Sequence, residues 1–181
     1  MKELERVIKK YDKITFMCIG SDRVTGDCLG PLIGTFIKDL ENKNIKVIGT
    51  LDDPCHALNI DKKREGILKD SFVIAIDACL GDKLEIGKTK FREKPINPGK
   101  GVRKLIEPIG DVSIIGIVNT PSGGFDAVRE VRLNMIFNMS KEIAHSIRKA
   151  IIAKEVLSNA HLYNTRTICR KCEARRYYEI L

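Results

Sequence analysis

CIGSDRVTGDCLGP (residues 18–31) is the stretch on which the fold turns. The apolar run Ile14-Thr15-Phe16-Met17-Cys18-Ile19 stops at Gly20. Two aspartates, two further glycines and Pro31 follow, and Leu32, Ile33, Phe36, Ile37 and Leu40 then recur at helical spacing. A buried strand, a polar loop and a helix over 31–42 are expected, because proline is tolerated only in a helix's first turn.

The same alternation continues on both sides. Leu4, Val7, Ile8 and Tyr11 mark an amphipathic helix over 2–11. Ile45 to Leu51 reads as a second strand, and residues 56–66 as a short helix after Asp52-Asp53-Pro54-Cys55-His56. FVIAI (72–76) is a continuous apolar run ending at Asp77, the mark of a central parallel strand covered on both faces. Residues 84–92 alternate like a strand with one exposed face. VSIIGIV (112–118) is another buried strand, and a long helix is expected over about 125–153. Strand-helix-strand order implies a three-layer α/β fold on a mostly parallel, mixed sheet. The expected division is one α/β domain, 1–153, and a basic C-terminal tail, 154–181.

The net charge is +8 and no stretch reaches the ~18 apolar residues of a membrane span. The charged, helix-like N-terminus is unlike a secretory signal. A cytoplasmic protein with no membrane partner is therefore expected. Its basic residues are scattered and lack interleaved aromatics, which argues against a nucleic-acid partner. The six cysteines read as reduced thiols. No motif calls for a cofactor or a resident metal, and a homo-oligomer stays open.

In an open parallel sheet, ligands bind beyond the carboxyl ends of the strands. Those ends carry Asp22 and Asp27, then Asp52, Asp53 and His56, then Asp77, then Asn119 and Ser122. A second carboxylate beside Asp77 raises the pKa of one member, and such a pair can act as acid and base around a water. The same pair with His56 could instead hold a divalent metal. Structural uses compete: Asp27 as a helix N-cap, Asp22 closing an Asx turn, His56 as a packing residue, and Asp52 and Asp53 as solvated turn residues.

The blocks CIGSDRVTGDCLGPLIGTFI, GTLDDPCHALN, FVIAIDACLG, PGKGV and GDVSIIGIVN stand in this order. Together they resemble the YyaC-like sporulation proteins of spore-forming Firmicutes over roughly residues 10–150. That family is similar to the germination protease and, more distantly, to hydrogenase maturation proteases. The resemblance implies a phosphorylase/hydrolase-like fold. It also implies a catalytic aspartate in Asp27-Cys28-Leu29-Gly30-Pro31 and another in Asp77-Ala78-Cys79-Leu80. Maturation proteases add a histidine that senses nickel, and the matching loop Asn119-Thr120-Pro121-Ser122 has none.

The expected function is peptide-bond hydrolysis in sporulation or germination, with Asp27 and Asp77 as catalytic pair. Asp22, His56, Asn59, Asn119 and Ser122 would line the cleft for a protein or peptide substrate. The alternative is a non-catalytic peptide- or metal-binding regulator on the same fold. The tail departs from the family pattern. His161 with Cys169 and Cys172 falls short of the four ligands of a structural zinc site, so a disordered or partner-docking tail is expected.

Overall fold

The computed structural model describes residues 2–98, 106–124 and 126–178, with side chains up to residue 157. Residues 99–102 of the PGKGV block lie outside the described residues, as do the side chains of His161, Cys169 and Cys172.

Helix α1 (Lys2–Lys10) leads into β1 (Ile14–Cys18), all five residues of which are buried. A 3-10 turn (Thr25–Cys28) precedes α2 (Leu29–Ile37), which therefore starts two residues before Pro31. Proline at the third position is harmless, because first-turn N–H groups have no helical acceptor. A second 3-10 turn, Lys38–Leu40, replaces the expected last helical turn.

β2 (Ile45–Ile48) is shorter than expected and ends where Gly49 takes a positive φ of 90°. The chain returns at Cys55, which bridges Ile19 in parallel. Asn59 then accepts the His56 N–H at 2.9 Å and donates to the Pro54 carbonyl at 2.9 Å. That closed turn occupies 56–59, so α3 is only Ile60–Arg64.

β3 spans Phe72–Leu80, four residues beyond FVIAI. β4 (Thr89–Arg92) is shorter than the alternation over 84–92, because Lys83–Glu85 forms a 3-10 turn. β5 is Val112–Asn119. The expected helix over 125–153 is broken into α4 (Asp126–Arg129) and α5 (Leu133–Tyr178). The reason lies in packing: Val131 turns into the core at the break, and a methyl group on Gly26 would come within 3.2 Å of it. Past residue 153, where a disordered or partner-docking tail was expected, the chain continues α5 as helix to Tyr178.

The sheet order is β2-β1-β3-β5-β4, with β4 antiparallel and the rest parallel. One face packs Phe16, Cys18, Ile74, Ile76 and Ile114 against α1, α2 and α5, through residues such as Leu4, Ile33, Ile143 and Ile147. The other face packs Met17, Ile19, Ala75 and Ile115 against Ile60 of α3 and the bridged pair Ile96 and Ile109. This is the three-layer α/β arrangement with a mixed, mostly parallel sheet. β1 has β2 on one side and β3 on the other, so the strand order reverses at β1. The crevice at such a reversal is where α/β sheets take ligands.

Helix α2 lies directly on the end of β1: a Cβ on Gly30 would sit 2.1 Å from the Ile19 carbonyl oxygen. Neither element can move without uncovering Leu29 and Ile33, both fully buried. Gly30→Ala should therefore cost about 1–3 kcal/mol or more in urea unfolding. Gly66→Ala is the comparison: its methyl would press only on the Lys63 carbonyl, at 3.3 Å, and the change should cost clearly less.

Candidate active site

The site forms where the ladder between β1 and β3 runs out. Its last pair is Cys18 with Ile76, and Ile19 donates to the Ile76 carbonyl at 2.7 Å. At Gly20 the backbone takes a φ of 142°, which favours glycine. A Cβ there would lie 2.0 Å from the Asp27 carbonyl oxygen. The loop thus folds back on itself, and Ser21 N–H donates to that carbonyl at 3.2 Å.

Asp27 is half-buried. Burial pushes its carboxyl above the usual range, while the Ser21 N–H and the charge of His56 pull it back. It is not the N-cap of α2. That position belongs to Cys28, with no side-chain cap bond. The turn closure weighed for Asp22 falls to its neighbour, since the Ser21 hydroxyl accepts the Arg23 N–H at 3.2 Å. Asp22 is exposed, and its charge helps raise the Cys28 thiol.

Asp77 sits within β3 rather than at its end, opposite Ile115 of β5. Alternation puts it on the Ala75 side of the sheet, the face covered by α3. The residue is half-buried, with its carboxyl on the covered face of the sheet. Burial raises the carboxyl well above the usual range, the nearby charge of Asp27 adds to the rise, and the Ala78 N–H opposes it. This N–H donates to Asp77 Oδ1 at 2.8 Å.

His56 enters through the Cys55 bridge to Ile19, where Gly20 N–H donates to the Cys55 carbonyl at 2.8 Å. Its Nδ1 accepts the Leu58 N–H at 3.3 Å, which leaves Nε2 to carry the ring proton in the neutral form. Cys55 itself is fully buried, and its thiol is pushed up to about 12, chiefly by burial, so it is no ready nucleophile.

Three of the expected lining residues are differently employed. The amide of Asn59 is spent on closing the His56 turn. Asn119 donates to the Ala127 carbonyl at 2.7 Å and accepts the Thr120 N–H at 2.8 Å, so it ties α4 to the end of β5. Ser122 is exposed and shares a hydrogen bond with Thr120. Asp53 is the solvated turn residue expected, and its exposed carboxylate pairs with Lys63, which lowers its pKa.

The structure therefore brings Asp27 within charge range of Asp77 on one side and of His56 on the other, and leaves Asp22 and Ser122 at the surface. Among the described residues, no three His, Cys, Asp or Glu side chains converge as a metal site would require. A separate open depression, lined by Gly87, Arg132, Asn134 and Glu142 among others, includes none of the acidic pair. What sequence reasoning missed is the backbone scaffold: Gly20, the Ser21 N–H and the Ala78 N–H. The only signal was a Gly-Ser pair directly after a strand.

Comparison with known proteins agrees with this architecture. A [NiFe] hydrogenase maturation protease, HycI from Thermococcus kodakarensis KOD1, superposes with a TM-score of 0.57 over 82% of this chain and 98% of its own, at 18% identity. That likeness shows the fold. The uncharacterized protein YyaC of Bacillus subtilis (strain 168) is 42% identical over 139 residues, covering 74% of this chain and 67% of that protein. The family described as "Protein of unknown function (DUF1256)" matches residues 1–146. The chain belongs to the DUF1256 family.

Proposed function

We propose that the protein is a peptidase-like hydrolase in which Asp27 and Asp77 activate a water against a peptide carbonyl. The observation that carries this reading is one carboxyl, Asp77, driven toward its protonated form by burial and by the charge of the other. Two carboxyls whose environments separate their proton affinities are the signature of an acid and a base. Asp27 is the base: burial raises its carboxyl too, but the Ser21 N–H and the charge of His56 offset part of the rise, whereas Asp77 is driven well above the usual range. Asp77 is the acid and donates to the carbonyl oxygen as the water adds. The reacting species is the pair with one proton, so two apparent pKa values govern it.

The sporulation or germination setting, a cytoplasmic location and a protein or peptide substrate belong to the same proposal and rest on the sequence resemblance. No helix among the described residues is long and apolar enough to cross a membrane.

Small basic proteins and spore-type proteins are the substrates to assay. Asp77→Asn and Asp27→Asn should each lower the cleavage rate about 10²–10⁴-fold, the usual worth of a positioned acid or base. Unchanged cleavage by either variant removes that residue from the mechanism. Peptide binding by calorimetry without turnover in the wild type would instead favour the regulatory reading.

Stability should move in the opposite direction to activity. A carboxyl whose folded pKa is raised stabilises the fold fully only below its unfolded pKa of about 3.9, and that stability is lost as pH rises through the folded value. Asp77→Asn removes this penalty and keeps an oxygen for the Ala78 N–H. Its melting temperature should therefore exceed that of wild type at pH 7 by several degrees, at about 2–4 °C per kcal/mol. The difference should shrink to nothing below about pH 4. A constant offset at all pH values would show that Asp77 is not strained by its charge.

A further inference from the structure

Beside Asp77 the β1 lane of the sheet carries no strand beyond Ile19 among the described residues. β1 pairs with β3 only as far as Ile76, whereas β3 continues to Leu80. The Ile76 carbonyl faces β1, since it accepts the Ile19 N–H. Backbone groups alternate in direction along a strand, so Ala78 and Leu80 also turn toward the β1 side. Gly81 confirms the alternation: its N–H points the other way and donates to Asn119 of β5 at 2.8 Å. The irregularity between Cys79 and Leu80 skips a residue of β5, Val118, and leaves the alternation of β3 intact.

On the vacated side the Ala78 N–H is held by the Asp77 carboxylate. The Ala78 carbonyl and the Leu80 N–H and carbonyl have no strand partner there among the described residues. The Ala78 and Leu80 side chains pack on the cluster that contains Cys28 and Leu29, which holds this end of β3 in place.

We propose that a substrate peptide binds here in extended form, as a strand that takes up the lane of β1 beyond Ile19 and pairs with Ala78 and Leu80. Strand addition of this kind draws affinity from main-chain bonds and tolerates varied side chains. An added strand would run about 4.8 Å from β3, which carries its carbonyls past the Asp77 carboxyl. The proposal rests on the peptidase reading for its purpose and is tested apart from it.

The test places the change in the peptide and leaves the protein intact. The probe is a capped, water-soluble peptide of alternating Thr and Val with a Lys at each end, together with variants N-methylated at single positions. Affinity is measured by calorimetry, turnover by chromatography, and exchange of the Leu80 amide by NMR. Methylation at alternate positions should weaken binding about five- to tenfold, as for one lost hydrogen bond, and the positions between should have no effect. The peptide should also slow exchange at Leu80. An effect independent of position, no slowing at Leu80, or no binding overturns the lane. Cleavage without the alternating pattern removes the lane and keeps the peptidase; the alternating pattern without cleavage does the reverse.

Discussion

Everything at the site depends on one closure, the fold-back of the chain at Gly20 onto Asp27. The Asp27 carbonyl occupies the space a side chain on residue 20 would need. That approach does two things together. It ends the β1 ladder at Ile19, and it sets Asp27 beside the one strand that continues past that point. Gly30 supplies the matching contact from α2, so the end of β1 is gripped by the helix it leads into. The position of one carboxylate is thus fixed by backbone packing, which tolerates little rearrangement.

The electrostatics of the site follow from that packing. Asp77 could have been a buried strand residue like Ala75 or Ile76, with no cost to folding. Instead a carboxyl stands in an apolar layer, with the Ala78 N–H as its hydrogen-bond donor and a second carboxylate near it. An isolated buried charge is costly, so the surroundings push the group toward its protonated form. Burial raises Asp27 as well, but the Ser21 N–H and the charge of His56 offset part of that rise. The difference between two chemically identical side chains therefore arises from their neighbours alone.

The layered fold was legible because parallel strands covered on both faces become uninterrupted apolar runs, as at FVIAI and VSIIGIV. Where boundaries failed, a long-range contact had overridden a local pattern. β3 runs on through Asp77 because β5 pairs with it as far as Asn119. The helix over 125–153 breaks because Val131 has a place in the core. The acidic pair was visible as two aspartates after apolar runs, and the fold brings them together. Asn59 and Asn119 looked like lining residues because polar residues after strands often are. Their amides instead hold loops in place, and no spacing in the sequence distinguishes an asparagine that binds its own backbone from one that binds a ligand.

A strand edge inside a crevice is a hazard on a surface, where it invites pairing with other chains. Here the strand runs three residues beyond Asp77, of which Ala78 and Leu80 face the β1 side, and the Asp77 carboxyl already accepts the first N–H. That is short enough to avoid open-ended pairing and long enough to orient one peptide group. The same carboxyl thus answers to two neighbours, the Ala78 N–H it accepts and the Asp27 charge that raises its proton affinity. A peptide aligned along Ala78 and Leu80 would pass beside the Asp77 carboxyl, which already accepts the Ala78 N–H. Orientation achieved in this way lowers the barrier because the ordering is complete before the chemistry begins.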